Sequence, residues 1–269
     1  MGSILVGTAG WADRELVSSG WYPPGTRTPA QRLAHYASRF PLVEADSPYY
    51  AIPAPATVQR WVEATPDGFV MDVKAFSALT GHPGRVEPRD PDLAWQRFHE
   101  ALAPLSGSGR LGRVLLQFPP WCTASPRWER RIDEALDRCR PLPAAVEFRH
   151  SSWLDGPDRR ARTLDHLRAR EAAYVCVDMP QGHPGAVPPL PAVTSSTAVV
   201  RLHGHSTSWV GGSKEDRFRY RYSERELAAW AQRLLTLSQE AATVHAVLNT
   251  CCGGEAQRAA EVLRGLLPG

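Results

Sequence analysis

Eight short apolar runs recur along the chain, and between them apolar residues fall at three- and four-residue intervals. Runs of this kind mark strands buried on both faces, and the intervening period is that of amphipathic helices. The runs are Ile4-Leu5-Val6, Leu42-Val43-Glu44, Phe69 to Lys74, Val114 to Phe118, Ala144 to His150, Tyr174 to Asp178, Ala198 to Gly204 and Val244 to Asn249. Helices are expected from Pro29 through Arg39, Pro55 to Ala64, Pro91 to Pro104, Ser125 to Cys139, Pro157 to Arg170, Ser223 to Leu237 and Glu255 to Leu267. Proline opens several of them, where its missing N–H costs nothing, and Ser223 with Glu226 forms a capping-box pattern. Met179 to Thr197 is rich in Pro and Gly without a helical period, so a long loop or a lid is expected there. Strands alternating with helices predict one α/β domain over residues 1–269: a (β/α)8 TIM barrel around a parallel eight-stranded sheet, irregular at the sixth helix.

In that architecture the carboxyl ends of the strands share one face, and polar side chains gather at those ends in this chain. Ala144 to His150 shows the pattern most clearly, as an apolar run that ends in three ionisable groups. Glu147 and Arg149 lie two apart and so point the same way, either as a structural ion pair or into a cleft. His150 points oppositely and reads as packing or a cap. Arg201 and His203 also share a face. Lys74, Glu147, His203 and Asp178 are the candidate acid/base residues. Thr8, Trp11, Glu44, Tyr50, Gln117, Arg149, Arg201 and Asn249 are the candidate substrate-binding set. Asp178 could instead cap the following segment, and Asn249 could serve only neighbouring backbone. Tryptophans 61, 95, 128 and 230 fall on helices and read as core, whereas Trp11, Trp153 and Trp209 follow strands and read as cleft residues. Lys74 stands out because only two lysines accompany twenty-nine arginines. A titratable ammonium at a strand end supplies what a guanidinium cannot.

Composition narrows the partners. The 269 residues carry 31 basic and 28 acidic side chains, a net charge of +3 that by itself argues for neither nucleic acid nor a membrane surface. No apolar run approaches the ~20 residues of a membrane span, and no leader pattern precedes the first strand. Five cysteines, two of them adjacent at Cys251 and Cys252, include no C-x-x-C pair, which fits a reduced, cytoplasmic protein. Glu44, Glu147, Asp178 and His203 could hold Mg, Mn or Zn, but no ligand spacing specifies a metal, so the cofactor is left open. A small, anionic substrate is expected, with an anion site near Arg201 and the Gly211 to Lys214 segment. The alternation Arg217 to Tyr222 supports a second reading, a β-ribbon or cleft face that binds nucleic acid. A non-catalytic binding protein is a third.

Gly7-Thr8-Ala9-Gly10-Trp11, Val43-Glu44 with Ser47 and Tyr50, Val73-Lys74, Leu116-Gln117-Phe118-Pro119, Val146 to His150 with Trp153, Arg201-Leu202-His203-Gly204 and Asn249 occur in an order that resembles the YecE-like family, domain of unknown function 72. The resemblance implies a TIM barrel grouped with sugar isomerases, and no settled reaction. The chain departs from that family's wording at Ala45-Asp46, where Asn is expected, and at Asn249-Thr250-Cys251-Cys252, where a second Asn is usual. Both departures touch the expected site and point to an altered substrate.

Overall fold

The computed structural model describes residues 1–82, 90–251 and 253–268, with the side chains of residues 214 and 215 outside that description. Strands β1 (Ser3–Ala9), β2 (Leu42–Ala45), β3 (Val70–Lys74), β4 (Leu111–Gln117), β5 (Ala144–Glu147), β6 (Ala173–Asp178), β7 (Thr197–Leu202) and β8 (Thr243–Leu248) close a barrel in sequence order, every pairing parallel. The helices are α1 (Arg14–Ser18), α2 (Pro29–Arg39), α3 (Pro55–Glu63), α4 (Pro91–Gly107), α5 (Pro126–Cys139), α6 (Gly156–Ala169), α7 (Lys214–Arg217), α8 (Glu224–Glu240) and α9 (Glu255–Gly265). This is the expected (β/α)8 barrel, and β6 passes to β7 with no helix between them.

Local chemistry sets the helix starts. Thr28 caps α2 and Ser223 caps α8, each in a reciprocal capping box, with Gln31 and Glu226 reaching back. Proline occupies the first turn of α2 through α6. The apolar stripes of these helices cover the outward side chains of the barrel. Leu33 and Tyr36 of α2, Phe98 and Leu102 of α4 and Leu227 and Leu234 of α8 are fully buried against the strands. Tryptophans 95, 128 and 230 lie in this layer as expected, with Trp61 half-buried beside it. No helix among the described residues is long and apolar enough to cross a membrane.

Two glycines permit the inner packing. A Cβ on Gly7 would lie 1.9 Å from the Leu42 carbonyl oxygen, so β1 and β2 approach only because that position is bare. A Cβ on Gly112 would lie 2.3 Å from Asp72 Oδ1. The space it leaves holds a buried pair in the lower barrel, where His245 Nδ1 sits 3.0 Å from both Asp72 oxygens and the Arg113 amide donates to Oδ1.

Candidate functional site

Strand alternation decides which polar side chains enter the barrel. Ala9, Glu44 and Asp72 are level across β1, β2 and β3, Lys74 is level with Leu115, and Gln117 with Glu147. The side chains of Glu44, Lys74, Gln117 and Glu147, with those of Arg201, His203 and Asn249, meet at the carboxyl end of the barrel.

Arg201 is the centre of this layer. Its side chain is fully buried, Nε and Nη2 donate to Glu44 at 2.8 and 2.5 Å, and Nη1 donates to Glu147 at 2.5 Å. A guanidinium withdrawn from water is tolerable only with such charge-assisted bonds. Glu147 also accepts from Gln117 Nε2 at 2.8 Å and faces Arg149 Nη1 at 3.2 Å and His203 Nε2 at 3.3 Å. Asn249 Nδ2 donates to His203 Nδ1 at 2.8 Å, which places the imidazole proton on Nε2, toward Glu147. His203 is therefore neutral; burial lowers its pKa from 6.5 to about 3 against the attraction of Glu147. Although burial opposes it, the pull of Arg201, His203 and Arg149 holds Glu147 well below the usual carboxylate range. Glu44 differs. Burial pushes it up to about 8 against the forked attraction of Arg201, so it titrates near neutrality.

Lys74 lies at the mouth of this network. Its Nζ sits 4.3 Å from the centroid of Tyr49, and no described carboxylate lies within ion-pair distance. Burial lowers its pKa, with Asp46 the strongest opposing charge and Arg201 adding to the fall. Two buried atoms of this region lack hydrogen-bond partners, Asp46 Oδ1 and Arg149 Nη1. The Arg149 guanidinium stands 5.3 Å from the Trp209 ring, which lies 5.9 Å from His203. His82 adds a ring beside Tyr49, its pKa lowered to about 4 by burial and by Lys74 and Arg149.

Several expected residues are placed elsewhere. Thr8 turns outward, donating its amide to Tyr36 on α2 at 2.8 Å and lying 3.4 Å from Gln257 on α9, so it joins strand to helices rather than lining a cleft. Trp11 packs edge-on against Trp61 at 5.5 Å. Trp153 stacks on Phe148 and donates its indole N–H to the Cys122 carbonyl, making it core as well. Tyr50 is exposed on the rim, and its neighbour Tyr49 is the ring beneath Lys74. Asp178 is level with Leu202 and leaves the barrel on its outer side, where it accepts from Tyr222 at 2.7 Å and sits 2.8 Å from His205 Nε2. That removes it from the acid/base set. Arg201 is fully buried and donates to two carboxylates, so it presents no exposed face to an anion. The Arg217 to Tyr222 ribbon does not form: Arg217 ends α7, Tyr220 donates to Glu226, and Tyr222 binds Asp178. His150 caps the turn at Ser151 as read, accepting from the Ser152 amide. Cys252 lies outside the described residues, as does the side chain of Lys214. No group of three or more His, Cys, Asp or Glu arranged for a metal occurs among the described residues.

Asp46 and Tyr49 were legible as polar residues at a strand end, but nothing in the sequence distinguished them from turn chemistry. Asp72 and His245 were hidden in strand interiors, where ionisable residues are rare enough to have been a signal.

Fold and site together define a TIM-barrel protein with a buried network of charged side chains at the strand carboxyl ends. The chain belongs to the family described as protein of unknown function DUF72, whose model matches residues 5–268. It is 33% identical over 261 residues to the UPF0759 protein YunF of Bacillus subtilis (strain 168), covering 94% of this chain and 90% of that protein. The UPF0759 protein YecE of Escherichia coli (strain K12) is 35% identical over 161 residues, 58% of this chain and 56% of that protein. Crystal structures of DUF72 family proteins from Enterococcus faecalis V583 and Thermotoga maritima MSB8 superpose with TM-scores of 0.88 and 0.84. Each is 28% identical, and the matches cover 98% of this chain with 95% and 98% of those chains.

Proposed function

We propose that this barrel is an enzyme that moves protons on a small, anionic, polyhydroxylated substrate bound between Lys74 and Arg149. The observation that carries the reading is Lys74 itself: a desolvated ammonium with a lowered pKa, facing an aromatic ring and no carboxylate within ion-pair reach. Such a lysine gives up its proton more readily than a fully paired one. With Glu44 protonated below about 8, Glu147 and Asp46 carry two negative charges against Arg201, Arg149 and Lys74, so one cation is in excess when Lys74 is protonated. An anionic group on the substrate completes that balance. Asp46 Oδ1 has room to accept a hydroxyl proton and Arg149 Nη1 to donate, which suits a polyol chain. In this reading Glu147 and His203 are positioning residues, because their polar atoms face other protein groups.

The test is solvent proton exchange. Sugar phosphates are incubated with the protein in deuterium oxide and analysed by mass spectrometry. Deuterium incorporation at carbon by the native chain, lost in Lys74→Arg and Lys74→Met with the fold kept by circular dichroism, supports the reading. Full activity of Lys74→Arg removes Lys74 as the base. The nucleic-acid reading has lost its ribbon, and the cations Arg219 and Arg221 are paired with Glu15 and Glu255.

A further inference from the structure

The opposite end of the barrel holds a second concave site that the chemistry above does not use. A cavity of about 530 Å³ opens there beneath β4, β5 and β7, lined by Arg113, Arg140, Arg168 and Arg170 together with Ser196 and Glu171. The four arginines are not equivalent. Arg168 is held by Asp165 at 2.6 Å and by the Val193 carbonyl, and Arg170 by Asp137 and Asp133. Arg113 is different. It is 8% exposed, burial lowers its pKa, and its guanidinium has one hydrogen-bond acceptor among the described residues, Ser196 Oγ at 3.3 Å. Asp72 attracts Arg113 from within the barrel, but its hydrogen bonds go to the Arg113 backbone amide and to His245 rather than to the guanidinium. Arg140, exposed at the mouth, has no ion pair or hydrogen bond from its side chain among the described residues.

A buried guanidinium without a carboxylate is costly unless an anion joins it. A planar donor fork lining the cavity, with a second uncommitted fork at the entrance, matches phosphate oxygens. We propose that this cavity binds a small, multiply charged phosphate compound, with Arg113 as the deep anchor and Arg140 closing over the outer charge. Two uncommitted cations against the single carboxylate of Glu171 favour more than one negative charge on the ligand. This site lies at the amino-terminal face, away from Lys74, so its occupant is a regulator or stabiliser rather than the substrate of the upper cleft.

Calorimetric titration of the full chain with inorganic pyrophosphate tests it. Binding is expected in the native protein and in Lys74→Met, weakened about tenfold or more in Arg113→Met and about threefold in Arg140→Ser, as for loss of a charge-assisted contact. Binding tighter for pyrophosphate than for inorganic phosphate is part of the expectation. Arg140 is exposed, so Arg140→Ser decides the matter even where Arg113→Met does not fold. Absence of binding at millimolar pyrophosphate overturns the proposal. So does binding that Lys74→Met abolishes and Arg140→Ser leaves intact, which would assign the anion to the upper cleft. An equal loss in Arg97→Ser, an exposed arginine on α4, would show diffuse charge attraction and overturn it too.

Discussion

Arg201 and Glu44 lie 157 residues apart and meet through two parallel hydrogen bonds, Nε to Oε2 at 2.8 Å and Nη2 to Oε1 at 2.5 Å. The pair closes the barrel between β2 and β7, and Glu147 joins it from β5. Removing the cation leaves two buried carboxylates facing each other. Arg201→Met is expected to cost about 3–5 kcal/mol in urea unfolding, the range for breaking a buried ion pair from one side. Adding Glu44→Gln to Arg201→Met is expected to recover part of that loss. A loss near zero in the single variant would mean that the network is not holding the barrel.

The neutral His203 makes acid destabilisation predictable. Its folded pKa of about 3 lies below its ordinary value of 6.5, so the unfolded chain takes up the proton first. Stability therefore rises with pH from about 3 to 6.5 and is lost on acidification through that window, with a slope of at most about 1.4 kcal/mol per pH unit. Glu147, lowered in the fold, acts in the same sense below 4.5, whereas Glu44, raised to about 8, loses its contribution as pH climbs from 4.5 to 8. His203→Gln is expected to flatten the acid limb in urea midpoints measured across this range. An unchanged slope would show that His203 is protonated in the fold.

Thr8 and Lys74 stand near the ends of β1 and β3 with opposite duties. Thr8→Val removes the side-chain contact with Tyr36 and is expected to lower stability by about 1 kcal/mol while leaving ligand binding in the upper cleft unchanged. Loss of binding without loss of stability would return Thr8 to the cleft.

The barrel was legible because eight buried strands and amphipathic helices alternate in the hydrophobic pattern itself. The inward set Glu44, Lys74, Gln117, Glu147, Arg201, His203 and Asn249 was legible for the same reason, since each ends such a run. Thr8 and Asp178 were misread because the register that turns them outward is set by pairing across the sheet, and a shift of one residue reverses every side chain. The ribbon at 217–222 failed because its alternation is satisfied by separate partners, Glu15, Asp178 and Glu255 from elsewhere in the chain and Glu226 from the next helix. Trp153 was taken for cleft because it follows a strand, yet the 3-10 turn at Ser151–Trp153 folds it back onto Phe148.

Gly112 tests the lower barrel. A methyl group there would press on Asp72 Oδ1, Val70 and His245, and Gly112→Ala is expected to cost about 1–3 kcal/mol in thermal or urea unfolding. A neutral substitution would mean that the Asp72 and His245 pair shifts freely, and that the lower layer is not packed as described.

Asp46 is the strongest charge opposing the fall in the Lys74 pKa. Asp46→Asn keeps the shape and removes that attraction, so the Lys74 pKa is expected to fall further and the pH profile of proton exchange to move to lower pH on its acidic side. A profile that does not move would detach Asp46 from Lys74.

The most direct measurement exploits the scarcity of lysine. With the side-chain carbon next to the ammonium labelled with carbon-13, Lys74 and Lys214 give two resonances, assigned by Lys214→Arg. The Lys74 signal is expected to titrate below 10.5, and to move upward when an anionic substrate binds beside it. A Lys74 resonance that titrates at or above 10.5 in the free protein would contradict the account of this lysine as the proton-transferring group.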